Sequence, residues 1–327
     1  MKPLIGAAQV STTPATAKAL TGCRGAGGRT PASDDQRIPR SRGRAHESHR
    51  ADPLTGAQEA QSMDMPRQEC AITTLGGPTA VIDLGGLRIV SDPTFDDAGP
   101  HGYLTKTAGP AVAEDALGAI DLVLVSHDGH PDNLDERGRA CARSAPMVIT
   151  GPLSAERLGP PAIGLAPWDS YHVPLGDGGG RLTVLAVPAV HGPEDGDRDA
   201  DGHVNCEVTG FVLSGPGLPT IYISGDNASI RTVAEISRRL PDIDVALLHA
   251  GAARVPAKFG GRPLTFDSRR AAAAAAVLGA GLVIPAHYDG WAHFSEGLAD
   301  LELAFQEAGL SSLLRTAPHG TWTHVHR

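Results

Sequence analysis

The chain has 327 residues, of which 41% are hydrophobic and only 4% aromatic, so aliphatic side chains must fill its core. Its net charge of −9 argues against a nucleic-acid partner, because phosphate contacts need Lys and Arg. Its apolar runs are shorter than the roughly 20 residues of a membrane-spanning helix, and no secretory signal follows the start. Four scattered cysteines without a CxxC pair suit free thiols in a reducing cytoplasm. We therefore expect a cytoplasmic protein without nucleic-acid or membrane partners, and a homo-oligomer stays open.

Residues 1–65 differ in composition from the rest of the chain. They are rich in Ser, Thr, Pro, Gly, Arg and Ala and lack a sustained apolar period, which predicts a disordered N-terminal tail. Met63 and Met65 directly precede the first regular pattern, so a start codon assigned too far upstream is an alternative explanation of this tail. We expect residues 66–327 to form one domain.

Short β-branched runs bounded by glycine turns predict strands at the beginning of that domain. They cover residues 71–77, 79–86 and 87–93. Further strands are predicted at 147–150, 182–188, 211–215 and 220–224.

Four segments predict helices that alternate with the later strands. Pro241 provides a stop signal after the second of them. The predicted helices cover 135–145, 231–240, 268–280 and 295–309, with Thr265 or Asp267 as the cap of the third and Ser295 as the cap of the fourth.

Five of the apolar runs stop at a histidine or an aspartate. In open α/β sheets, chemistry takes place just past the carboxyl ends of strands. Imidazoles and carboxylates at several strand ends therefore predict one metal site. The first run is followed by His127, Asp128, His130 and Asp132, and the others by His191, Asp226, His249 and His287.

The order of these motifs resembles the metallo-β-lactamase superfamily, in particular its branch of ascorbate-6-phosphate lactonase-like hydrolases. The resemblance covers about three quarters of the chain and implies an α+β fold, a four-layer αββα sandwich with two mixed sheets between outer helices. It is carried by Asp128-Gly-His130-Pro-Asp132-Asn133, by His191 in PAVHGP, by Asp226 in YISGDN, by His287 in IPAHYDGW and by GGLRIVSDPTFD with Asp92.

The resemblance also implies one or two divalent metal ions, zinc or manganese, with iron as a further choice. The first ion would be held by Asp128, His130, His191 and Asp226, and the second by Asp132, Asn133, Asp226 and His287. An alternative takes His127 as the first ligand, with one extra residue in the loop. We prefer Asp128 because it keeps the alternating spacing, and an oxygen-rich ligand set shifts preference from zinc toward manganese or iron.

The activity that the resemblance implies is that of a metal-dependent hydrolase using metal-bound hydroxide on a small ester, lactone or phosphoester. Asp132 would orient the nucleophile or shuttle its proton, and His127 and His293 would act on the oxyanion or leaving group. We expect His249 to be a buried structural residue. The alternative is a non-catalytic metal-binding or ligand-sensing protein with a degenerate second metal site, because Asp128 and Asn133 stand where the family has histidines.

Overall fold

The computed structural model describes residues 64–175, 179–193 and 196–327. All but the last two residues of the predicted N-terminal tail lie outside this part of the chain, so the tail stays a prediction. Within the described part, no helix is long and apolar enough to cross a membrane.

The first sheet has seven strands. Its first four strands in spatial order are antiparallel, and the remaining three are parallel to the fourth. In spatial order the strands are β15 (Thr323–His324), β1 (Cys70–Gly76), β2 (Thr79–Leu84), β3 (Leu87–Ser91), β6 (Leu122–Val125), β7 (Val148–Thr150) and β8 (Ala162–Gly164).

The second sheet has six strands. In spatial order they are β14 (Leu282–Ala286), β13 (Val245–His249), β12 (Ile221–Ile223), β11 (Thr209–Ser214), β10 (Arg181–Pro188) and β9 (Ser170–Pro174). The strands β12, β13 and β14 are parallel, and β10 shares their direction because β11 lies antiparallel between β10 and β12. A separate two-stranded sheet pairs β4 (Gly99–His101) with β5 (Leu104–Lys106).

The helices are α1 (Glu136–Ser144), α2 (Pro152–Leu158), α3 (Ile230–Arg239), α4 (Ser268–Leu278) and α5 (Leu298–Glu307). Short 3-10 helices occupy Glu114–Leu117 and Phe259–Gly261.

The predicted cap Asp267 is confirmed, since its side chain accepts a hydrogen bond from the Arg270 amide at 2.8 Å. The predicted cap Ser295 is wrong: α5 begins after Gly297, because the Ser295 amide bonds the Gly251 carbonyl and its hydroxyl bonds the Ala252 carbonyl.

Alternating side chains along the strands build three apolar layers. On β3, Ile89 faces the interior between the two sheets, whereas Val90 packs with the helix α1 side. On β13, Leu247 joins the same central layer, whereas Leu248 packs beneath α3, α4 and α5. Period-two alternation on both sheets therefore produces helix, sheet, sheet and helix layers, and the predicted αββα sandwich is confirmed.

One edge of this sandwich collects the polar strand ends. The strand β6 of the first sheet leads into His127, and β3 leads into Asp92. In the second sheet, β12 is followed by Asp226, β13 ends at His249 and β14 is followed by His287. Because these strands run in one direction within each sheet, their carboxyl ends bring distant side chains together.

A buried ion pair supports the strands that lead to this edge. Arg88 on β3 donates two hydrogen bonds to Asp83 on β2, at 2.8 and 2.7 Å, and both side chains are buried.

Replacing Asp83→Asn leaves a buried guanidinium without its counter-charge, which we expect to lower the free energy of unfolding by about 3–5 kcal/mol. Urea denaturation of the full chain measures this change. The exposed pair Glu235–Arg239 is the control, since Glu235→Gln should cost only about 0.3–0.5 kcal/mol; equal effects would contradict the prediction.

Candidate metal centre

Three imidazole rings converge where β6 and β10 end. The Nδ1 atom of His130 lies 2.9 Å from Nε2 of His127 and 3.1 Å from Nε2 of His191. The Leu264 carbonyl lies 2.9 Å from Nδ1 of His191, and since a carbonyl only accepts, that nitrogen carries the proton. The lone pair of His191 Nε2 therefore points into the cluster, where a cation would satisfy all three nitrogens at once.

These rings are neutral near pH 7. Burial, assisted by the neighbouring imidazoles, lowers the pKa of His127 well below its ordinary value. Burial likewise lowers the pKa of His130 to about 4 and lowers that of His191. A neutral imidazole is the form that binds a metal, so the fold prepares these residues as ligands.

A second group lies beside the first and contains both carboxylates and imidazoles. Asp226, His249 and His287 offer ligand atoms that all lie within 4.8 Å of one another. The Oδ2 atom of Asp132 is 3.2 Å from Nε2 of His287 and 2.9 Å from Nε2 of His293. The structure thus brings four of the predicted residues, Asp132, Asp226, His287 and His293, to one place.

Asp226 connects the two groups. Its Oδ2 lies 3.6 Å from Nε2 of His191, and its Oδ1 lies 2.9 Å from Nδ1 of His249 and 3.4 Å from Nε2 of His287. Burial by itself would raise the pKa of this carboxyl, but the surrounding histidines, His287 first, hold it well below the ordinary value. Asp226 is therefore ionised and faces both groups.

Several buried oxygens at this edge have no hydrogen-bond partner among the described residues. An unpaired buried acceptor costs about 1–3 kcal/mol, and more when it is charged. Divalent cations would satisfy such oxygens, so this donor set fits the metal ions that the resemblance implied. The unpaired carboxylate oxygens are Asp92 Oδ2, Asp132 Oδ1 and Asp226 Oδ2.

The structure corrects the preference for Asp128 over His127. The Nε atom of Arg157 lies 2.9 and 3.1 Å from the two carboxylate oxygens of Asp128, and Arg139 Nη1 lies 3.6 Å away. The preference rested on alternating spacing in the loop, but the segment turns so that the amides of Asn133 and Leu134 bond the His130 carbonyl. His127 therefore occupies the place that the sequence analysis gave to Asp128.

Asn133 also lies at the cluster, and its predicted role as a ligand stays a prediction. Its Nδ2 donates hydrogen bonds to Asp226 Oδ1 at 3.1 Å and to Ser126 Oγ at 3.4 Å. In this orientation the amide group contacts the carboxylate directly, while its own oxygen has no partner in the described part of the chain.

Sequence reasoning missed two members of the centre. His249 was expected to be structural, although it ends a strand in the same way as the other histidines. The Cys206 Sγ lies within 4.8 Å of the ligand nitrogens of His127, His130 and His191. No sequence signal marked this cysteine, because it follows no strand and belongs to no CxxC pair.

A cavity of about 410 Å³ opens beside His130. Its walls include Tyr103 and Arg139, and the Tyr103 ring lies edge-on to the His130 ring at 6.5 Å between centroids. Its volume falls within the range of roughly 300–1,000 Å³ that is typical of ligand pockets.

Comparison with known proteins assigns the family. A sequence model described as the beta-lactamase superfamily domain matches residues 87–288, which is more than half of the chain. The chain belongs to this superfamily, and it is an enzyme, a metal-dependent hydrolase of the metallo-β-lactamase fold.

Individual relatives agree with this assignment. A metal-dependent hydrolase of Pyrobaculum aerophilum is 30% identical over 223 residues, covering 67% of this chain and 84% of the relative. An isothiocyanate hydrolase from Delia radicum gut bacteria has the same fold, with a TM-score of 0.66, 19% identity and coverage of 78% and 99% of the two chains. A metallo hydrolase of Ignicoccus hospitalis superposes with a TM-score of 0.57, 21% identity and coverage of 78% and 97%.

The tight backbone at Gly251 provides a test of how the second group is positioned. A Cβ at residue 251 would lie 2.1 Å from the carbonyl oxygen of His287 and 2.9 Å from Cα of Tyr288. We expect Gly251→Ala to displace His287 and to destabilise the fold by about 1–3 kcal/mol, with loss of bound metal from the second group. Metal content after dialysis, measured by mass spectrometry, checks this, and Gly109→Ala, which meets no atom within 4 Å, is the control. Equal metal content in the two variants would contradict it.

Proposed function

We propose that this enzyme hydrolyses a small ester, lactone or phosphoester with one or two divalent ions held at the histidine edge. The observation that carries the proposal is the direct contact between two ligand groups through one ionised carboxylate. Asp226 faces the nitrogen cluster on one side and His249 and His287 on the other. Paired metal sites of this kind serve hydrolytic displacement reactions.

The residues divide into two ligand sets. His127, His130 and His191 would hold the first ion, and Asp132, His249 and His287 the second, with Asp226 between them. A bound divalent ion lowers the pKa of a coordinated water from 15.7 to about 7 and polarises a carbonyl or phosphoryl oxygen. The nitrogen-rich first set favours zinc, whereas the carboxylates of the second also suit manganese or iron.

His293 is placed to move a proton. Burial would raise the pKa of Asp132, but its hydrogen bonds with His287 and His293 hold that pKa well below the ordinary value, so the carboxylate accepts from His293 Nε2. The Nδ1 atom of His293 then has a free lone pair. It can take up a proton there and return it to the leaving group, while Asp132 stabilises the charged ring.

The geometry also weakens the non-catalytic alternative. That alternative rested on Asp128 and Asn133 standing where the family has histidines. His127 supplies an imidazole in place of Asp128, and His249 supplies one beside Asn133. The nitrogen donors needed for two ions are therefore present, although two of them come from unexpected positions.

A cytoplasmic location remains part of the proposal. Among the described residues, Cys70, Cys141 and Cys206 are free thiols, which suit a reducing compartment.

Hydrolysis is tested with the full chain, stripped of metal and reloaded with zinc or manganese. We expect turnover of at least one class among lactones, carboxylic esters and phosphodiesters. His191→Ala should lower kcat/KM by at least about 100-fold, because losing a ligand exceeds the 10–100-fold cost of losing a supporting residue. His172→Ala, an exposed histidine on β9, is the control. A metal-loaded chain that is inert toward all three classes would reject the proposed substrates.

The ligand role of His249 is tested separately by metal content. We expect His249→Ala to retain about one equivalent of zinc instead of two, because it removes an imidazole from the second group. Asn133→Ala should keep both ions, since its amide nitrogen contacts Asp226 as a donor. Inductively coupled plasma mass spectrometry after equilibrium dialysis gives both stoichiometries. The reverse pattern would assign the ligand to Asn133 and leave His249 structural.

A further inference from the structure

Cys206 adds a sulfur atom to the cluster of three histidines. We propose that its thiolate is a further ligand of the first ion, which makes that site a three-histidine, one-cysteine site selective for zinc. This inference rests on the proposed metal binding at the same cluster, but it concerns which atoms hold the ion and which ion is preferred.

The separations are those of atoms that can share one ion. The Sγ of Cys206 and the ligand nitrogens of His127, His130 and His191 all lie within 4.8 Å of one another. Zinc binds sulfur at roughly 2.3 Å and nitrogen at roughly 2.0–2.1 Å, so two ligands of one ion are separated by at most about 4.4 Å. Small side-chain rotations would therefore bring all four atoms to zinc.

Contacts on both sides of Cys206 fix the segment that carries it. Before it, the Asn205 side chain accepts a hydrogen bond from Lys258 Nζ at 3.1 Å. After it, the Glu207 carboxylate accepts from the Leu153 amide at 2.9 Å. The Thr209 amide then bonds the carbonyl of Ser126, directly before His127, at 2.9 Å. The segment that carries the thiol is thus fixed, in part by a direct hydrogen bond to the residue before His127.

Burial and the Asp226 carboxylate raise the pKa of the free Cys206 thiol, so the thiolate would form only with a cation bound beside it. The charge balance around such a cation favours a thiolate ligand. His127, His130 and His191 are neutral ligands, and a buried divalent cation needs nearby negative charge. Asp128 cannot provide it, because Arg157 and Arg139 hold its carboxylate. Asp226 provides one charge and shares it with the second group. A thiolate at residue 206 supplies the missing charge, and a soft sulfur ligand selects zinc over manganese.

Cobalt(II) substitution tests this in the full chain, because thiolate ligation gives a near-ultraviolet charge-transfer band that nitrogen and oxygen ligands do not. We expect the cobalt-loaded protein to show this band together with visible d–d bands. Cys206→Ser should lose the near-ultraviolet band while keeping bound cobalt, and its zinc affinity should fall at least about 10-fold. Cys70→Ser, on β1, is the matched control and should keep the band.

The other outcomes separate the two proposals. If cobalt binds and gives d–d bands without the charge-transfer band, the role of Cys206 alone is overturned. The same conclusion follows if the charge-transfer band persists in Cys206→Ser. Absence of any bound metal would overturn the proposed function as well. If the serine variant does not fold, alkylation of the wild-type protein decides: zinc should protect Cys206 from iodoacetamide, and equal labelling with and without zinc would overturn the proposal.

Discussion

The ionised carboxylate of Asp226 is the group on which the centre depends. It is buried between the two ligand groups and contacts His191 on one side and His249 and His287 on the other. Burial opposes ionisation of this carboxyl, and the surrounding imidazoles outweigh that cost. Other buried polar atoms beside Asp226 lack hydrogen-bond partners among the described residues. A divalent cation bound there would satisfy several of them and would thereby stabilise the folded state.

The sandwich makes this convergence possible. His127 belongs to the first sheet, whereas His191, Asp226, His249 and His287 belong to the second. Each sheet presents carboxyl strand ends at one edge, and the apolar layer between the sheets holds the two edges together. These candidate ligands thus lie at strand ends or within three residues past them, while loops contribute His130, Asp132 and Cys206.

Much of the fold followed from local pattern. The β-branched runs around β1, β2, β3, β10 and β12 and the helices α3 and α4 were found from periodicity and turn residues. The start of α5 was misplaced because the Ser295 segment bonds the backbone of Gly251 and Ala252 instead of beginning the helix. Local sequence predicts a helix cap only where no distant segment bonds the same groups.

For the site, the sequence by itself determined that histidines and aspartates terminate several strands and that their order is that of the metallo-β-lactamase superfamily. Only the tertiary structure decided which atoms meet. A loop that turns after β6 gives His127 the place expected for Asp128, and Arg157, 29 residues further along, takes the carboxylate. Cys206 reaches the cluster through Asn205 and Glu207, whose partners Lys258 and Leu153 lie more than 50 positions away. Strand periodicity is a local property, whereas these placements depend on contacts between distant segments that no local pattern encodes.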